Sequence, residues 1–322
     1  MADAGSSDPV ALGIGGKMIL NLLLILVMPL FFIGIITKTK AIWTGRKGPS
    51  LLQPFYNFYK LMGKNEIHST SSGLLFKIAP VLALISVFFA ALMVPFGTKT
   101  AVLGFRGDFF LFMSLLALSK AVMVIAAMET ASSFEGMGAS REMSFTAFLE
   151  PAFLLMIGSL AYSGGLESVG QLFFSHTVNL HDSWSFIIAV LSALALFIML
   201  LVEGARVPFD DPATHLELTM IHEVMVLDTS GVNLALVHYT AALKICIYAA
   251  LISNFLVPGE LSGTQVPLIF LAGNIGLAIL TGLLESLIAR YRISRNLELV
   301  IIPLSIALLV LAALIVNNLG AI

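Results

Sequence analysis

The sequence predicts an all-α, polytopic integral membrane protein of about eight transmembrane helices, with one amphipathic helix lying in the interface. Three observations carry that prediction. Of the 322 residues, 58% are hydrophobic and only 11% are charged. The mean hydropathy of +0.99 is far above that of a water-soluble domain. The apolar residues also gather into eight runs of bilayer length, about 20 residues each for a hydrocarbon core of about 30 Å. Unpaired backbone groups are costly in lipid, so such runs are helices; barrel strands would alternate over segments of about ten residues.

Residues 1–17, MADAGSSDPVALGIGGK, are acidic and rich in small side chains, without the basic start of a cleavable signal, so the first span at 18–36 is expected to be retained. The connection after it is the longest. In it Leu51, Phe55, Phe58 and Met62 recur at helical spacing with Gln53, Asn57, Lys60 and Lys64 opposite, which predicts a helix resting on the membrane surface. Gly45, Gly48 and Pro49 shape a turn ahead of it that presents Arg46 and Lys47. With Gln53 these residues form a candidate docking platform for a cytoplasmic subunit. Further spans are expected near 74–94, 109–128, 145–162, 184–202, 234–255, 266–288 and 297–316. Between the fifth and sixth, Asp211 and Pro212 form a good helix start, which predicts a short helix from Pro212 to about Leu227. No low-complexity linker or repeat divides the chain, so residues 1–322 are read as one integral domain.

Sidedness follows from the basic residues. The connections at 38–72, 129–144, 203–231 and 289–297 carry eleven Lys and Arg, against three (Lys17, Lys99 and Arg106) on the other side. The richer side is expected to face the cytoplasm, with both termini outside an inner membrane.

An ionisable group at the centre of a span costs roughly 2.5–3.5 kcal/mol on insertion scales, so it is paired, lines a wet cavity or performs a task. Lys120, Glu150, Lys244 and Glu285 are such groups, with Glu129 and Glu203 at span ends. Glu285 stands close to Arg290, Arg292 and Arg295 and is read as a structural ion pair with that stretch. Carboxylates crowded in a partly dry site repel and are drawn toward neutral pKa values, while lysines pull the other way, and groups tuned in this manner pass protons. Glu129, Glu142, Glu150, Glu203, Asp210, Glu217, Glu223 and Asp228, with Arg206, Lys120 and Lys244 as counter-charges, are therefore the candidate proton-path residues. The competing reading is a solvated acidic loop.

Several functions are excluded or unsupported. Cys246 is the only cysteine, which leaves no iron-sulfur cluster, cysteine zinc site or disulfide framework to this chain alone. His215 and His222 are seven apart, but HEVMV lacks the second histidine of H-E-x-x-H, so no metal site is expected. There is no phosphate-binding loop and no nucleophile–base motif. A net charge of -2, with no basic run among aromatics, argues against nucleic acid.

Three stretches, GRKGPSLLQPFYNFYKLMGK, GMGASREMSFTAFLEP, and EGARVPFDDPATHLEL followed by Ser230-Gly231, resemble the membrane subunit that anchors the soluble arm of respiratory complex I and of energy-converting nickel-iron hydrogenases of the formate hydrogenlyase type. In that family E-x-x-R-x-P-F-D corresponds to Glu203, Arg206, Pro208, Phe209 and Asp210; a later glutamate matches Glu217 and one opening the fourth span matches Glu150. Ala213 and His215 stand where complex I members tend to carry acids, and Ala241 where they carry a glutamate. Lys120 and Lys244 follow the hydrogenase pattern instead.

The resemblance implies a non-catalytic subunit linking redox chemistry to proton or sodium translocation. Its implied partners are hydrogenase-like large and small subunits, which would hold the NiFe centre and Fe-S clusters, together with antiporter-like membrane subunits. No cofactor is expected in this chain, although a quinone site is an alternative if the complex is an NADH:quinone oxidoreductase. A subunit of a cation antiporter is a second alternative.

Overall fold

Each apolar run long enough to cross a bilayer becomes a helix, and small residues decide how closely the helices approach. A computed structural model describes residues 14–67, 72–163, 168–175, 183–210, 220–258, 261, 264–291 and 293–320. Among the described residues there are ten α-helices, one 3-10 turn and no strand: α1 (Ile14–Trp43), α2 (Gln53–Met62), α3 (Leu74–Leu92), α4 (Phe109–Glu129), α5 (Ser133–Ser163), α6 (Val169–Ser175), α7 (Ser183–Glu203), the 3-10 turn Glu223–Val226, α8 (Gly231–Phe255), α9 (Gln265–Leu287) and α10 (Ile293–Gly320). All but α2 and α6 are long and apolar enough to span, so the eight expected crossings are present in a multi-pass membrane protein.

The bundle is organised around α8. It packs against α1, α2, α3, α6, α7 and α9, and from Ala242 to Phe255 every residue but Lys244 is buried. The interfacial helix forms where expected, with Pro54 in its first turn, where the missing N–H costs nothing. Its inward stripe differs from the expected one. Phe55 stacks edge-on against Phe31 at 5.1 Å and Phe58 tilts against Tyr239 at 5.5 Å, while Leu51 and Met62 are exposed and Leu61 takes the inner position.

Two further boundaries depart from hydropathy. α5 begins at Ser133 rather than Phe145 because its first turns face protein and not lipid: Glu135, Gly138, Ala139 and Glu142 are all buried. The helix expected from Pro212 to Leu227 is not continuous. Residues 211–219 lie outside the described residues, and after them only Glu223–Val226 turns, as a 3-10 helix. The backbone N–H groups of Ile221 and His222 donate to the Asp210 carboxylate.

Candidate functional site

Two close approaches build the site. Gly138 of α5 lies against Val224, Met225 and the Ile221 carbonyl, where any Cβ would collide. The 220–226 segment therefore sits on α5, one turn before Glu142, and His222 Nε2 comes within 3.1 Å of Glu142 Oε2. Gly204, just past α7, faces Ile245 of α8, and a Cβ there would fall 2.6 Å from Ile245 Cγ1. That packing holds Glu203 beside the α8 turn that carries Lys244. Glu203 pairs with Lys120 of α4, both side chains almost fully buried.

Asp210 ties the acidic connection together. Its Oδ2 accepts from the Ile221 and His222 N–H groups at 3.1 and 3.2 Å. Its Oδ1 accepts from Arg290 at 2.9 Å, and His222 Nδ1 lies 3.7 Å from Oδ2. Burial opposes charge on His222, but the Glu142 carboxylate and the hydrogen bonds to Asp210 and Glu142 outweigh it and lift the imidazole to about 10. Burial likewise works against the Asp210 carboxylate, yet His222 and Arg290 hold it below the ordinary aspartate value. Lys120 and Lys244 both lie within electrostatic range of Glu142, Glu150 and Glu203.

These groups border a cavity of about 1080 Å³. Lys120, Glu142, Glu203, Arg206, His222, Glu223 and Lys244 line it from α4, α5, the α7–α8 connection and α8. Arg46, Gly48, Pro49 and Gln53, four of the five expected platform residues, line it from the α1–α2 side. The fifth, Lys47, is exposed, and its carbonyl accepts from Lys38 at 2.8 Å.

The remaining candidates are placed differently. Glu129 does not line the cavity: its carboxylate accepts from the Phe76 N–H at 2.6 Å at the start of α3, where a helix N-terminus favours an anion. Asp228 is exposed, and its N–H donates to Glu135. Glu150 is half-buried, and Glu217 lies outside the described residues. The structure also adds residues that the sequence does not single out. Glu135 is wholly buried, and His222, which sequence spacing raises only as a metal ligand, sits between two carboxylates. Glu285 is in an ion pair as expected, but with Lys40 and Arg206 rather than with the basic stretch beyond it; of that stretch, Arg290 goes to Asp210. Ser230 exchanges hydrogen bonds with both backbone groups of Ile67, at 2.9 Å each, and so fastens the α2–α3 connection to the start of α8.

Eight crossings, with a cavity among them lined by the Lys120–Glu203 pair, Glu142 and Lys244, define a membrane-integral subunit with ionisable groups set among its spanning helices. The chain belongs to the NADH dehydrogenase family, whose pattern it matches over residues 16–314. It is similar to hydrogenase-4 component C of Escherichia coli, 30% identical over 73% of each chain, and to formate hydrogenlyase subunit 4 of the same organism, 25% identical over 82% of each. A subunit of the NADH-quinone oxidoreductase of Bordetella avium is 27% identical over 78% of this chain and 71% of its own length. A chain in the structure of an archaeal membrane-bound sulfane sulfur reductase, a respiratory membrane complex, shares the fold with a TM-score of 0.76 at 23% identity, over 93% of this chain and 99% of that one. The family read from the three motifs is thus the family to which the chain belongs.

Proposed function

We propose that this chain is the membrane subunit of an energy-converting hydrogenase-like complex, anchoring the redox module and linking its chemistry to proton or sodium translocation. The observation that carries this reading is the run of ionisable side chains from Asp210 through His222 and Glu142 to the Lys120–Glu203 pair. A redox event at the mouth of the cavity displaces or recharges the 203–228 connection. His222, cationic between two carboxylates, transmits that change to Glu142 and so to the lysines. Glu129, Glu150, Glu217, Glu223 and Asp228 are proposed to extend the route, and Arg206 to set its field.

The NiFe centre and Fe-S clusters belong, on this reading, to hydrogenase-like large and small subunits seated on Arg46, Lys47, Gly48, Pro49 and Gln53. Antiporter-like membrane subunits complete the ion path. The excess of Lys and Arg supports an inner-membrane orientation with the α1–α2 connection in the cytoplasm and both termini outside.

The test uses the whole purified complex in liposomes. Glu142→Gln and Glu203→Gln should leave dye-linked electron transfer by the soluble module nearly native while cutting ion uptake about tenfold, equivalent to about one pKa unit of lost interaction. Native uptake in both variants would defeat the proposal. A second reading, quinone reduction at the same cavity, is favoured by its volume and by Gln53 and His238 in its lining. Loss of quinone-analogue reduction in Gln53→Leu, with hydrogen turnover absent, would select it.

A further inference from the structure

Three segments converge on one carboxylate that the proposed route does not use. Gly282 lets α9 lie directly against α1, since a Cβ at that position would come within 2.8 Å of Thr39 Cβ and 2.9 Å of the Ile36 carbonyl oxygen. One turn later the Glu285 side chain is fully buried. Lys40 of α1, next to Thr39, reaches its Oε2 at 2.9 Å, and Arg206, just beyond α7, reaches its Oε1 at 3.3 Å. Both cations line the cavity. One carboxylate cannot neutralise two cations, so among the described residues this three-membered group carries one excess positive charge. The connection that follows α9 and the first turn of α10 clasp the acidic connection: Arg290 donates to Asp210 at 2.9 Å, the Tyr291 N–H to the Pro208 carbonyl at 3.2 Å, and Asn296 to the Phe209 carbonyl at 2.8 Å.

We infer that Glu285 is a positioning residue of the ion route: it holds the Arg206 guanidinium and the Lys40 ammonium against one wall of the cavity and so fixes the excess charge that the route carboxylates meet. The inference rests on the proposed ion-coupling function. Removing one member of a buried ionic group strands the others, whereas removing a matched pair leaves the balance intact.

The experiment measures ion uptake per electron transferred by the reconstituted complex. Glu285→Gln leaves two unmatched cations and lowers the ratio by about fivefold or more. Lys40→Met removes the excess charge and also lowers it. The double variant Lys40→Met/Glu285→Gln restores a single excess charge on Arg206 and returns the ratio to within about twofold of native. Glu285→Asp, which keeps the charge, exceeds Glu285→Gln.

A purely structural pair gives a different pattern: less assembled complex in every variant, least in the double, with a native ratio in whatever assembles. A native ratio in Glu285→Gln, or a double variant no better than either single, overturns the inference. Should Glu285→Gln not assemble, comparing Lys40→Met with the double variant decides in the same way. Glu142→Gln in the same liposomes separates the two levels. If it too pumps at the native ratio, ion coupling through this chain has failed as a reading; if it does not, only the role of Glu285 is at stake.

Discussion

His222 stands between two carboxylates, and its charge is what ties α5 to the acidic connection. Its imidazole is lifted to about 10 from an ordinary 6.5. In the unfolded chain it returns to the ordinary value, so the stabilisation is complete below about pH 6.5 and is lost as the pH climbs through about 10. Asp210 behaves in the opposite sense. Its depressed pKa contributes stability above the ordinary 3.8 that is lost only as acid reaches the lower folded value. The clasp is therefore tightest between these two ordinary values and loosens in alkali. The amides of Ile221 and His222, which donate to Asp210, report on it directly. Their hydrogen exchange, corrected for intrinsic base catalysis, should accelerate between pH 7 and 10 in the native chain and stay flat in His222→Asn. A flat native profile would mean that His222 does not carry the charge assigned to it. None of this is legible from His222 in the sequence, because its acidic partner Glu142 belongs to another helix and the two meet only through the packing at Gly138.

At the scale of elements, hydropathy made the crossings legible and sterics hid the joints. A 20-residue apolar run has one structural solution in lipid, and so eight spans could be counted directly. The start of α5 and the inner ends of the helices could not be counted in that way, because turns facing protein tolerate Glu135 and Glu142. The end of α7 is an instructive joint. The Ala205 N–H donates to Val202 at 3.1 Å and the Arg206 N–H to Leu201 at 2.8 Å, with Ala205 at φ +50. This is a helix stop whose left-handed position normally falls to glycine. The sequence offers Gly204 for that task, yet Gly204 is needed for the approach of α8, and alanine takes the strained position. A left-handed alanine costs roughly 1 kcal/mol. Ala205→Gly should raise the thermal midpoint of the detergent-solubilised protein by relieving that cost. Gly204→Ala should lower it, because the new methyl meets Ile245 at 2.6 Å. Equal midpoints in the two variants would mean that α7 and α8 are not locked at this point.

For the whole molecule, the consequential property is that many of its ionisable groups line one cavity, and the orientation of that cavity decides what it can serve. Residue type and span position made the inventory legible: Glu203, Arg206, Glu142, Lys120 and Lys244 all line the cavity, and Asp210 clasps its rim. The link to α9 was illegible, because Glu285 meets Arg206 across 79 residues of chain and no local pattern encodes that meeting. The proposed orientation rests on eleven basic residues against three, since a cation left on the translocated side of a short loop opposes insertion. The chain supplies its own assay. Cys246 is fully buried and should be silent to maleimides, so single new cysteines can be read against it. Tyr59→Cys on α2 and Phe105→Cys on the opposite connection replace side chains that are 82% and 52% exposed. In intact cells an impermeant maleimide should label Phe105→Cys alone, and Tyr59→Cys should react only after permeabilisation and removal of the soluble module. The reverse pattern would turn the cavity away from the cytoplasm, and a cytoplasmic redox module could then not act on Asp210, His222 or Glu142 at all.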